Sequence, residues 1–89
     1  MRAELDRQRI DKWLWHARLV RTRSDAAILA GSGYVRVNGM RIAAASRLVR
    51  TGDVITLALE RTVRVLKVQG FAERRGAAGT SAGLYEELT

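Results

Sequence analysis

An α+β fold is predicted for the 89-residue chain, and three observations carry that prediction. Apolar residues near the start recur at helical spacing, the period switches to two after Gly33, and the alternating segments are parted by turn residues rather than by further helices. The expected architecture is two short N-terminal helices packed on a small, mainly antiparallel sheet of four to five strands, with a short C-terminal extension.

The first helix rests on Ile10, Trp13, Leu14 and Ala17, which share one helical face. Arg21-Thr22-Arg23 interrupts the pattern. Ser24 then reads as an N-cap with Asp25 in the first turn, opening a second helix over Ala26–Ala30 that Gly31-Ser32-Gly33 stops. Tyr34-Val35-Arg36-Val37 alternates as a strand, Asn38-Gly39 is a tight-turn signal, and Met40-Arg41-Ile42 returns. Arg50-Thr51-Gly52-Asp53 reads as a turn before a strand over Val54–Leu59. Glu60-Arg61 turns again into Thr62–Val68, where Val63 and Val65 fall on one face and Leu66 and Val68 do not fit it. Beyond Gly70 the chain is rich in Gly and Ala, and Leu84–Leu88 reads as a last helical turn on an extension that docks back. These assignments divide the chain into an N-terminal tail (1–8), one domain (9–70) and a C-terminal extension (71–89).

Composition narrows the function classes. There is no cysteine, which removes disulfides and thiolate metal sites and suits a reducing compartment. No apolar run approaches the roughly 18–20 residues of a membrane-spanning helix, and Met1–Gln8 is charged, unlike a signal peptide, so the cytoplasm is the expected location. The net charge of +7 is unevenly placed: residues 18–50 hold seven arginines and a single acid, Asp25, whereas residues 51–89 are neutral overall. So concentrated a field attracts a polyanion, with phosphate neutralisation and counterion release as the driving force.

Catalysis finds no support. Asp11 has no second carboxylate at useful spacing, so its expected role is to pair with an arginine and orient it. His16 is the only histidine, read as a surface side chain, and without cysteine it builds no zinc site. The glycines at 31, 33 and 39 lack the pattern of a phosphate loop and read as helix stop and turn. No enzyme activity, cofactor or metal is expected.

Arg9-Ile10-Asp11-Lys12-Trp13-Leu14, Thr22-Arg23-Ser24, Gly33-Tyr34-Val35-Arg36-Val37-Asn38-Gly39 and Gly52-Asp53 before an apolar strand together resemble, over about residues 9–58, the RNA-binding domain first known in ribosomal protein S4. A narrower resemblance spans nearly the whole chain. Asp11-Lys12-Trp13-Leu14-Trp15 with Ala17-Arg18, the pair Arg74-Arg75 and Leu84-Tyr85-Glu86-Glu87 look like the heat-shock protein 15 family. Where that family commonly has proline after the paired arginines, this sequence has Gly76-Ala77-Ala78-Gly79. The resemblance implies a stand-alone, non-catalytic domain that binds ribosomal RNA on the large ribosomal subunit. It further implies action on stalled subunits that still carry a nascent chain on transfer RNA, which are returned to use, and a connection to heat shock and stress.

The candidate RNA-binding residues are Arg9, Lys12, Arg18, Arg21, Thr22, Arg23, Ser24, Arg36, Asn38 and Arg41. Arg18, Arg21 and Arg23 leave the first helix and lead into the second, where free backbone N–H groups at Ser24 favour a phosphate; Arg36 and Arg41 flank the hairpin and extend that edge. Asn38 serves the turn, with backbone contact to RNA as the other reading. Trp13 is expected in the core. Trp15 lies off the apolar stripe and is read either as covered by the C-terminal extension or as a platform for an unpaired base. Three rivals stay open: a DNA-binding module, an accessory to a separate RNA-modifying enzyme, and a protein contact through the acidic end at Tyr85-Glu86-Glu87. A monomer is expected.

Overall fold

The computed structural model describes residues 6–72 and 83–89. Strand β1 (Arg7–Arg9) runs directly into helix α1 (Ile10–His16), followed by helix α2 (Arg23–Gly31). Strands β2 (Val35–Val37) and β3 (Met40–Arg41) form a hairpin, β4 (Leu48–Arg50) follows, and β5 (Val54–Ala58), β6 (Val63–Val68) and β7 (Tyr85–Glu87) complete the chain. The main sheet has five strands in the order β3-β2-β5-β6-β7, and every neighbouring pair is antiparallel. A separate two-stranded ribbon joins β1 to β4, with Arg7 opposite Arg50, Gln8 opposite Val49 and Arg9 opposite Leu48. The predicted α+β class is the observed one.

The helices arise from the predicted stripe. Ile10, Trp13, Leu14 and Ala17 are buried, and they pack with Ala26 and Ala30 of α2 and with Val35, Val37, Ile55, Leu57, Leu66 and Val68 of the sheet. Trp13 is fully buried, its indole N–H donating to the Gly70 carbonyl at 3.2 Å and its ring meeting Tyr85 edge-on. Helix α1 ends in a Schellman motif: Leu19 N–H bonds the Leu14 carbonyl and Arg18 N–H the Trp15 carbonyl. Arg18 therefore occupies the left-handed position usually given to glycine, at φ 59°.

Asn38 and Gly39 both have positive φ, 52° and 83°, as the tight two-residue turn requires. The Asn38 amide also ties this turn to the next one, donating to Asp53 Oδ1 at 3.1 Å and accepting from Val54 N–H at 2.9 Å.

Several expectations are corrected. The cap of α2 is Thr22, not Ser24: Thr22 is extended, at φ −130° and ψ 162°, and its hydroxyl accepts from Asp25 N–H at 3.0 Å. Ser is if anything the better cap by type, so the choice is set by which residue has the extended backbone, and that is Thr22. On β6 the inward face carries Leu66 and Val68, while Val63 is exposed and Val65 half-buried. The expected helical turn over Leu84–Leu88 does not continue past a 3-10 turn at Leu84: Tyr85–Glu87 pairs with β6 as an edge strand, with Arg64 and Glu87 joined in a bidentate ion pair. The paired arginines 74 and 75 and the glycine-rich run 76–79 lie outside the described residues.

Candidate nucleic-acid interface

The basic edge is organised around one buried acid. Asp11 sits in the first turn of α1 with its side chain only 3% exposed. A carboxylate so buried requires donors around it. Arg9, arriving from β1, supplies two, Nε at 3.2 Å and Nη2 at 2.9 Å; the backbone N–H of Lys12 supplies a third at 2.7 Å. Arg23, at the start of α2, brings a second guanidinium to 3.6 Å. Asp11 thus performs the orienting role expected of it, for two arginines rather than one. Their side chains remain 50% and 42% exposed. A guanidinium has five N–H donors in a planar fork, so each keeps donors for a further anion while held from behind.

Around this knot, Arg21, Thr22 and Ser24 are exposed and Lys12 is half-buried. The Ser24 hydroxyl is not spent on capping; in the first turn of α2 the Asp25 N–H is taken by the Thr22 hydroxyl and the Ala26 N–H by the Thr22 carbonyl, which leaves the backbone N–H groups of Arg23 and Ser24. Arg18 is exposed at the far end of α1.

The hairpin arginines form a second cluster. Arg36 and Arg41 are direct cross-strand partners and both are exposed. Val35 and Val37 point inward, so Arg36 projects from the face of the sheet away from the core. Arg41 runs past Gly33, just beyond the C-terminal end of α2. A nine-residue helix is about 13 Å long, so the hairpin pair and Arg23 lie near opposite ends of α2. The structure therefore joins Arg9 and Arg23 through Asp11, with Lys12, Arg21, Thr22 and Ser24 next to these residues along the chain, and sets Arg36 and Arg41 near the other end of α2. Asn38 spends its amide on the turn-to-turn bridge.

His16 corrects the sequence reading. It is 2% exposed rather than on the surface, with Nδ1 at 2.9 Å from the Ala72 carbonyl. A carbonyl only accepts, so that nitrogen carries the proton. Gln8 Nε2 donates to the same carbonyl at 2.8 Å, and the two clamp the chain where it leaves the sheet. The partner lies 56 residues away, so no local pattern announces it. Trp15 is half-buried, packs against the core cluster and lies 5.3 Å ring-to-ring from His16.

An open groove of ≈ 490 Å³ is lined by Leu29, Tyr34, Ala58, Leu59 and Glu60; it holds one carboxylate and no cation, which sets it apart from the basic edge. Among the described residues no group of three His, Cys, Asp or Glu is placed to hold a metal, and no helix is long and apolar enough to cross a membrane.

Comparison with known proteins gives a consistent set of similarities. A family profile of the S4 domain matches residues 8–55, which include the Asp11 knot and the hairpin. Heat shock protein 15 of Escherichia coli strain K12 is 38% identical over 79 residues, covering 89% of this chain and 59% of that protein. Its homolog from Aeromonas salmonicida is 42% identical over 82 residues, with 89% and 59% covered. The chain therefore spans about three fifths of the length of these curated relatives. The trimeric structure of Vibrio cholerae heat shock protein 15 superimposes with a TM-score of 0.81 at 34% identity, covering 96% of this chain and 82% of that one.

Proposed function

Since the chain belongs to the S4 domain family, and within it to the heat-shock protein 15 group, we propose that it is a non-catalytic protein that binds structured ribosomal RNA through the edge built on Asp11. The observation that carries this reading is the buried carboxylate holding Arg9 and Arg23 half-exposed beside Arg21 and Ser24. Groups fixed in place lose less freedom when they take up a phosphate, and a rigid edge reads the shape of a nucleic-acid backbone more than its base sequence.

Within that reading the target is the large ribosomal subunit, and the task is rescue or recycling of stalled subunits carrying a nascent chain and transfer RNA. Family membership supports this assignment. Arg18, Arg36, Arg41 and Asn38 are assigned to the outer reach of the contact. Trp15 contributes a base-stacking face only where its half-exposed ring is not covered by the extension.

Binding and sedimentation measurements test the reading. Affinity for a structured RNA should fall with salt at a log–log slope of around −3 to −5 if about four to six arginines engage phosphates. A slope near zero removes phosphate contact as the main term. Competition between that RNA and duplex DNA of equal length separates an RNA reader from a general polyanion binder; equal competition favours the DNA-binding reading. Sedimentation of cell extract should place the protein with free large subunits. The solved Vibrio relative is trimeric, against the monomer expected here, and sedimentation of the pure protein decides between the two.

A further inference from the structure

The β1–β4 ribbon carries two arginines that the edge described above does not use. Arg7 and Arg50 are direct partners in the ribbon register. Both are exposed, while the adjoining pair Gln8 and Val49 is buried. Directly opposed residues share a face with Cβ atoms about 4.5–5.5 Å apart, and like charges there destabilise the pairing. Among the described residues no carboxylate forms an ion pair with either. Asp11 is engaged by Arg9 and Arg23, Asp53 accepts from the backbone N–H of Arg50 and from the Asn38 amide, and Asp6 is exposed beside Arg7 without a bridge to it.

The hairpin pair Arg36 and Arg41 is opposed in the same way, but it stands away from Asp11. The ribbon does not. Arg7 and Arg9 lie on the same face of β1, about 7 Å apart along the strand. Arg9 is held by Asp11, which also reaches Arg23. A line of cations thus runs from Arg50 through Arg7 and Arg9 to Arg23. Its far end is a repulsive pair held in register by two strands, an arrangement relieved when an anion lies between the guanidiniums.

We propose that Arg7 and Arg50 form a second phosphate-binding point, so that an RNA backbone seated at the start of α2 continues across the β1–β4 ribbon. This rests on the RNA-binding reading of the Asp11 edge and adds to it the direction in which the RNA leaves.

The test is fluorescence anisotropy of a labelled mixed-sequence RNA hairpin binding the full chain across a salt series. Arg7→Ala with Arg50→Ala should weaken binding by about fivefold or more and flatten the log–log slope by roughly 1–2. Its thermal midpoint at low salt should equal or exceed the parent's, because the repulsion is gone. Arg7→Lys with Arg50→Lys should keep the parent slope. If the alanine pair destabilises the fold, Arg50→Gln alone carries the test, with a slope change of roughly 1 expected. An unchanged slope with affinity within about twofold overturns the second point while leaving the Asp11 edge standing. Absence of salt-dependent RNA binding by the parent overturns both.

Discussion

A buried carboxylate draws its donors from wherever the fold can supply them, and Asp11 takes them from β1, from its own helix turn and from α2. Asp11→Asn separates two effects by sign. If Asp11 acts only as a nearby negative charge, removing it should strengthen RNA binding. If it positions Arg9 and Arg23, the neutral variant should bind more weakly despite its higher net charge, and anisotropy at fixed salt reads the difference. Trp13 tests the core in a similar way: truncation to alanine at a fully buried site with a bonded indole N–H should cost about 3–5 kcal/mol, measured by thermal or urea unfolding. Trp15→Ala should cost clearly less, because that ring is half-exposed; equal damage would leave no room for a stacking role. At this scale the sequence was legible where spacing decides. Trp13 lies on the apolar stripe, and Asp11 sits among cations with no second acid. His16 was misjudged because its burial depends on Gln8 and Ala72, which the chain supplies from other elements.

Among the elements, α2 shows how a cap settles which residues stay available. Thr22→Ala removes the hydroxyl that accepts from Asp25 N–H and should lower stability by about 1 kcal/mol, whereas Ser24→Ala should leave thermal stability nearly unchanged while weakening RNA binding. The reverse order would return the cap to Ser24. Strand β7 makes a pH prediction. The Arg64 guanidinium holds the Glu87 carboxyl below the usual carboxylate range, principally through their side-chain hydrogen bonds. A depressed carboxyl stabilises the fold above its unfolded pKa, and that contribution disappears as pH falls through its folded value. The difference in thermal midpoint between the parent and Glu87→Gln should therefore be present at neutral pH and shrink toward zero in acid. It should be small, because the pair is partly exposed. The hairpin was readable because Asn38-Gly39 suits a turn with two positive φ values. The ribbon was not, because Arg7-Gln8-Arg9 is a three-residue strand whose one inward side chain is polar. Strand β7 was missed for a related reason: Tyr85-Glu86-Glu87 has no alternation of its own and is held by pairing with β6.

Over the whole molecule, charge is sorted by position. The strands beyond residue 50 balance their cations with acids, as Arg64 does with Glu87, and the excess lies on the segment joining the two helices, the hairpin and the ribbon. Sequence placed that excess in residues 18–50 but could not divide it, because only the folded chain shows Arg36 and Arg41 standing at the other end of α2 from Arg23. A comparison of double variants locates the binding face. Arg21→Ala with Arg23→Ala removes two cations from the edge at the start of α2 and should weaken RNA binding at least about tenfold, or 1.4 kcal/mol. Arg61→Ala with Lys67→Ala removes the same charge from exposed strand and turn positions and leaves the Arg64–Glu87 pair untouched. A purely global field would make the two variants equal, since their net charges are equal. A local contact makes the strand pair cost less than half as much in free energy. Both variants must retain the parent's circular dichroism spectrum for the comparison to hold. If the strand pair then proves the more damaging, the RNA lies on the open face of the sheet and the Asp11 edge is not its seat.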